Sequence, residues 1–269
     1  MTKTERVYKE LLALRAVHFD EIVEKAQDII ETTPSRSYIY QKYVKRLVEM
    51  EKLQRVRRGL YVVLSPLEKP GGHVVDKLVI ASKVRNEYYL GFHTALEYYG
   101  CAQSIHNRAY VCVKTKDRFD LFNYGRLVFK PVFVDDTSLE VEEKFHQGHI
   151  LRVSSKERTF IDCLDKVKYT GGWEECLKSL YGLGGLEFQK LINLLLRGKK
   201  DILLRRAGYV LELLKEHSPF YEHLEDQLLD KIAERISGSP RYLNGEPGPL
   251  NERWNLYVPN NFEEILRGI

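Results

Sequence analysis

The chain has 269 residues, 43% of them apolar and 30% charged, with a net charge of +4. That balance fits a globular protein large enough to bury a core and excludes a disordered or collagen-like chain. The charge-dense start MTKTERVYKELLALRAV has no stretch of signal-peptide length, and no apolar run approaches the ~20 residues that span a bilayer, so a soluble, cytoplasmic protein with no membrane partner is expected.

Residues 3–16 are predicted to form a first helix, with Val7, Leu11, Leu12, Leu14 and Ala16 on its apolar stripe. The segment HFDEIVEKAQDII follows, with Asp20 as the expected cap of a second helix and Ile22, Val23 and Ala26 inward. Thr32-Thr33-Pro34-Ser35 breaks the chain and starts a third helix, with proline where its missing N–H costs least. This helix is expected to run to about Met50 with Ile39, Tyr43, Val44 and Leu47 on one face. The stretch RVRRGLYVVL then alternates at Val56, Leu60 and Val62 around a turn at Arg58-Gly59.

Charge is concentrated here. Arg36 to Arg58 contains Arg36, Lys42, Lys45, Arg46, Lys52, Arg55, Arg57 and Arg58 against Glu49 and Glu51, which is 8 − 2 = +6, so the rest of the chain sums to +4 − 6 = −2. Three short helices and a basic hairpin are the pattern of a winged helix-turn-helix, in which the third helix enters the major groove and the hairpin follows the phosphates. On that reading Arg36, Ser37, Tyr40 and Gln41 reach base edges or lie near them. Lys42, Lys45 and Arg46 contact phosphates, and Arg55, Arg57 and Arg58 belong to the wing.

The expected fold class is α+β, with a DNA-binding domain at residues 1–66, a Pro-Gly linker at 67–72 and an α+β domain at 73–269. Within the last, helices are expected over 73–100 and strands over 109–153, including AYVCVK (109–114) and RLVFKPVFV (126–134). Pro131 suggests an edge or a bend, and a hairpin should turn at Gln147-Gly148. Helices are expected over 155–236, opened by a cap at Ser154 or Ser155, and a strand at 254–258. The proline- and glycine-rich end needs anchors, for which Tyr242, Trp254, Leu256 and Tyr257 are the candidates.

Several stretches in order resemble the AbiEi-type antitoxins of abortive-infection toxin–antitoxin systems. They are RRGLYVVLSP (57–66), FHTALEYYG (92–100), SKERTFIDCLDKVKYTGGWEE (155–175), LLRRAGYVLELL (203–214) and RYLNGEPGPLNERWNLYVPNN (241–261). The resemblance implies a winged helix that represses its own operon by binding repeated double-stranded DNA sites in its promoter. It also implies a C-terminal region that counteracts a nucleotidyltransferase-like toxin without a stable complex, and no enzymatic activity. The chain departs from the family pattern at Thr159-Phe160 and at Lys168-Tyr169-Thr170.

Other chemistry is weaker. Glu142-Glu143-Lys144, with Asp117, Asp120, Asp135 or Asp136 upstream, has the form of a metal-dependent nuclease, but charge is ordinary at a hairpin. His146 and His149 flank a turn, and turn-exposed or packed histidines are commoner than ligands. Gly182 to Gly185 lacks the strand and lysine-serine of a phosphate loop. Cys101, Cys112, Cys163 and Cys176 lack metal-site spacing and are expected as buried thiols, so no metal or cofactor is expected. Arg158 and Asp162 are spaced for an intrahelical ion pair, while Arg197, Lys199, Lys200, Arg205 and Arg206 are expected on a solvated face. The competing functions are a DNA-targeted nuclease and a plain regulator whose C-terminal region senses a ligand or dimerises.

Overall fold

In a computed structural model, which describes residues 1–30, 32–70, 75–198 and 200–267, the chain is α+β. No helix among these residues is long and apolar enough to cross a membrane. The chain forms two compact units. The first contains Met1–Leu90, Asn107–Thr137 and Glu143–Arg152, and the second Gly91–His106, Ser138–Glu142 and Val153–Ile269. Contacts therefore group much of the expected second domain with the N-terminal residues. Part of the expected linker, Gly71 and Gly72, lies outside the described residues, as does Val74.

The first unit begins with α1 (Lys3–Leu12), opened by a reciprocal cap in which Thr2 and Glu5 bond each other's backbone N–H. The helix is shorter than expected because Ala16–His18 forms a strand, β1, before α2 (Phe19–Ile30). Asp20 lies inside α2, and Glu21 is the residue that turns back to accept the His18 N–H at 2.8 Å. Three consecutive helical segments follow: α3 (Arg36–Ile39), a π-helical turn (Tyr40–Val44) and α4 (Lys45–Glu49). Ser35 caps them by accepting the Tyr38 N–H, so Pro34 precedes the cap and does not occupy the first helical turn. Ile39, Tyr43, Val44 and Leu47 are buried, as their spacing requires. They pack with Val7, Leu11, Ile22 and Ala26 in one apolar cluster.

β2 (Leu53–Arg57) and β3 (Leu60–Val63) complete a three-stranded sheet in the order β1-β3-β2. The turn between them needs glycine. Gly59 has φ +81°, and a Cβ there would meet the His18 ring at 3.3 Å.

Beyond α5 (Lys77–Ser82) lies a six-stranded mixed sheet, whose strands fall mostly in the first unit. It contains β4 (Tyr89–Leu90), β5 (Arg108–Val113), β6 (Phe122–Tyr124), β7 (Leu127–Phe133), β8 (Val141–His146) and β9 (His149–Ser154), in the order β6-β7-β5-β4-β9-β8. β5 and β7 are parallel. Pro131 is thus in an interior strand, but β6 reaches only as far as Phe129 along β7, so the edge character is local. The turn at Gln147-Gly148 has positive φ at both positions, the geometry of a tight hairpin.

The second unit is mainly helical, with α6 (His93–Tyr98), α7 (Lys156–Asp165), α8 (Trp173–Tyr181), α9 (Phe188–Arg197), α10 (Asp201–His217) and α11 (Asp226–Ala233). Ser155 caps α7 by accepting the Arg158 N–H at 3.2 Å. The Arg158–Asp162 pair forms at 3.6 Å. Glu157 is buried, accepts the Glu187 N–H and faces Lys190 at 3.3 Å.

The C-terminal segment forms three two-residue strands, β10 (Arg241–Tyr242), β11 (Leu250–Asn251) and β12 (Leu256–Tyr257), with the central β12 shorter than expected. Trp254 and Leu256 are fully buried anchors, whereas Tyr242 is half exposed and the neighbouring Leu243 is buried instead.

Arg205 and Arg206 are not on a solvated face. Arg205 has no exposed surface and donates to Asp201 at 2.7 Å and to the carbonyls of Asn255 and Ser237. Arg206 donates to the Leu243 and Leu164 carbonyls and stacks on Trp173. Lys200 pairs with Asp165, and Lys199 lies outside the described residues.

Trp254 also explains a glycine inside α10. A Cβ on Gly208 would fall 2.0 Å from Trp254 Cζ3. Helix propensity alone would reward Gly208→Ala with roughly 1 kcal/mol. Overpacking against a buried indole reverses the sign, and the variant is expected to lose about 3 kcal/mol. A shift of the urea midpoint to lower concentration checks this.

Candidate nucleic-acid interface

The helix from Arg36 and the β2–β3 hairpin flank a cleft of about 580 Å³ in the first unit. Arg36 and Tyr40 come from the start of the helix, Arg55 from β2, and Arg58 and Gly59 from the turn. His18, Phe19 and Tyr61 complete the lining. Aromatic rings are therefore set among three guanidinium groups. Such a cleft suits an anionic backbone with flat or apolar groups attached.

Local contacts fix its shape. Arg36 lies 5.0 Å from the centre of the Phe19 ring and is ion-paired to Asp20. Asp20 also lies 3.1 Å from His18 Nδ1. Its carboxyl is held below the usual range, first by the Arg36 hydrogen bond, which outweighs the opposing effect of burial. Phe19 meets Tyr40 edge to face at 6.2 Å. Tyr61 is buried opposite Arg55 in the hairpin register, and burial pushes its phenol up, so it is neutral at ordinary pH.

The ten residues expected to bind DNA divide three ways. Arg36, Tyr40, Arg55 and Arg58 line the cleft. Ser37, Gln41, Lys42, Lys45 and Arg46 are exposed along the helix outside it, with Lys45 4.0 Å from Glu49. Arg55, Arg58, Lys42 and Arg46 have no carboxylate partner among the described residues. Arg57 faces elsewhere. Its guanidinium lies over Phe122 at 4.8 Å and Phe119 at 5.8 Å, and Nη1 is buried with no hydrogen-bond partner among the described residues. Burial, then the neighbouring Arg85, lower its pKa, while Asp120 opposes them.

His18, Phe19 and Tyr61 were not among the expected contacts. The adjacency of an aromatic and a histidine before Asp20 is visible in HFDE, but only β1 pairing with β3 brings that segment to the turn.

The nuclease reading gains no site. Among the described residues, the one group of side chains placed to hold a metal ion is His93, His106 and Glu175, which includes neither Glu142 nor Glu143. His146 is 3.1 Å from Asp76.

The whole fold has a counterpart among solved structures. The crystal structure of the RV2827C protein from Mycobacterium tuberculosis superimposes with a TM-score of 0.66 at 14% identity, covering 99% of this chain and 94% of that one. At that identity the likeness shows a shared fold and nothing about activity. No protein-family model matches the chain, and no curated protein sequence matches it.

The packing separates the two hairpin arginines. Arg57→Ala is expected to lower stability by about 1.5 kcal/mol, through lost stacking and lost stem contacts. Arg58→Ala, at the exposed turn, should change it by less than about 0.5 kcal/mol. Chemical denaturation of both variants checks the difference.

Proposed function

We propose that this protein binds double-stranded DNA through its first 66 residues, acting as a winged helix. The observation that carries this reading is the cleft in which Arg36, Tyr40, Arg55 and Arg58 converge between helix and hairpin. The element order supports it too: two helices, a capped third helix with a polar outer face, and a two-stranded hairpin joined to β1. In this reading Ser37 and Gln41 face the base edges. Lys42, Lys45 and Arg46 lie along one phosphate strand, and Arg55 and Arg58 follow the backbone beside the hairpin. Arg57 is assigned to holding the wing and not to the DNA.

Phosphate-dominated binding weakens steeply as salt rises. Anisotropy titrations with duplex from the region upstream of the gene should show that dependence, together with a preference over scrambled duplex. Replacing Arg55 and Arg58 by alanine should weaken binding to every duplex and reduce the salt slope by about one per residue, whereas Gln41→Ala should alter sequence preference. Equal affinity for the upstream and scrambled duplexes would remove the autorepressor role.

The biological role we propose is that of an autorepressor and antitoxin, countering a nucleotidyltransferase-like toxin without a stable complex. What supports this is the set of family-like stretches, four of which lie beyond residue 90. Co-expression with a nucleotidyltransferase encoded beside the gene should restore growth. Rescue should persist when Arg55 and Arg58 are alanine, since the antitoxin region is assigned to other residues. Failure of the full chain to rescue sinks the antitoxin role and leaves DNA binding untouched.

A further inference from the structure

The second unit holds a polar cluster that its apolar core does not require. His93, at the start of α6, has no exposed surface. Its ring stacks on that of His106, with centroids 3.7 Å apart and planes 7° from parallel. His93 Nε2 is 3.1 Å from Glu175 Oε1, in the first turn of α8. On its other side Nδ1 is 3.4 Å from Glu97 Oε1 and makes no hydrogen bond of ordinary geometry. Glu175 is fixed by three further donors. The Ser104 hydroxyl donates to Oε2 at 2.7 Å, and the Ser104 N–H and Ser179 hydroxyl reach Oε1 at 3.1 Å. Ser104 Oγ also lies 3.0 Å from His106 Nε2.

We propose that His93, His106 and Glu175 form a binding site for a divalent cation of the zinc type. This stands apart from the DNA-binding reading. Two imidazoles and one carboxylate are the nitrogen and oxygen donors that such a cation takes, leaving a fourth position for water. With metal–ligand bonds near 2.0–2.2 Å, donors around a tetrahedral ion sit roughly 3.3 Å apart. His93 Nε2 and Glu175 Oε1 already have that spacing, and a ligand atom from each of the three residues lies within 4.8 Å of the others.

The surroundings agree. Glu97 beside His93 Nδ1 supplies the carboxylate that orients a metal-binding histidine from behind. Burial alone would raise the Glu175 pKa, but the Ser104 bonds and His93 outweigh it and hold the carboxyl below its usual range, charged and ready for a cation. Gly171 leaves room on another side. At φ +102°, a Cβ there would lie 2.9 Å from Glu175 Cγ and 3.3 Å from His106 Cε1. His106 and Glu175 are half-buried, which gives an ion a way in. Parallel rings do not aim two lone pairs at one point, so loading tilts His106, the more exposed of the pair.

The full-length chain, stripped by chelator dialysis, should bind one equivalent of Co²⁺ with the visible absorption of a four-coordinate ion. Zn²⁺ should displace it and raise the melting temperature. His106→Gln and Glu175→Gln should each weaken binding at least tenfold, and Glu97→Gln by about tenfold, as for groups that orient a ligand. His146→Ala, in the first unit, should bind as the parent does. If Glu175→Gln does not fold, His106→Gln carries the test, because that ring is partly in solvent. A lack of saturable binding by millimolar Co²⁺ or Zn²⁺, or binding that survives His106→Gln, overturns the proposal and leaves the cluster a hydrogen-bonded clasp.

Discussion

A guanidinium that leaves water must have its donors answered, because an unpaired buried charge costs several kcal/mol. That constraint sorts the arginines of this protein. Arg205 is fully buried and answered by Asp201 and two backbone carbonyls. Arg206 is answered by two carbonyls and the face of Trp173. Both join α10 to the C-terminal segment, whose prolines and glycines give it little regular structure of its own. Trp254 completes the join by filling the space above Gly208 and donating its indole N–H to Glu212 at 2.6 Å. In the first unit, Arg57 is answered partly by two aromatic rings and Arg36 by Asp20. Arg55 and Arg58 are left without an acidic partner among the described residues, which is the condition for engaging an outside anion.

Local signals in the sequence translated directly into structure. The spacing of Ile39, Tyr43, Val44 and Leu47 marks a buried helix face, and Ser155 marks a helix start. Gln147-Gly148 marks a hairpin because both positions adopt positive φ. What the sequence hid was non-local. β1 is three residues long and exists only because β3 lies alongside it. The parallel pairing of β5 and β7 has no local signature, since a strand shows its own alternation and not its neighbour's direction. The segment 32–35 marks a helix start, but with three small polar residues around Pro34 it leaves the capping residue open, and only the fold selects Ser35, so that proline precedes the cap.

The candidate site was half legible for the same reason. Composition located the charge, and helical spacing put Arg36 and Tyr40 outside the core. It could not separate Arg57 from Arg58. Arg57 ends β2 and Arg58 opens the turn, but whether either guanidinium meets an aromatic face depends on Phe119 and Phe122, more than sixty positions away in the chain. Arg205 and Arg206 show the opposite error, whereas Arg197 and Lys200 are exposed as their spacing suggests. A cluster of like charge reads as solvated, yet α10 turns Arg205 and Arg206 onto a segment supplying free carbonyls. Charge density in a sequence measures the supply of donors, and only the fold says where the acceptors are.

Exposed cations contribute little to folding, since surface ion pairs are worth about 0–1 kcal/mol each. The stability of the first unit rests instead on its apolar cluster, in which Val7, Leu11, Ala26, Val44 and Leu47 are wholly buried. Arg55, Arg58, Lys42 and Arg46 are therefore free to be selected for a partner at almost no cost to the fold. The aromatic residues beneath them are not. Phe19 carries Arg36 and Tyr40 on its ring, and Tyr61 is buried in the hairpin, so the cleft floor and the sheet that shapes it are the same atoms. A change in the rim alters the charge the cleft presents; a change in the floor alters whether there is a cleft.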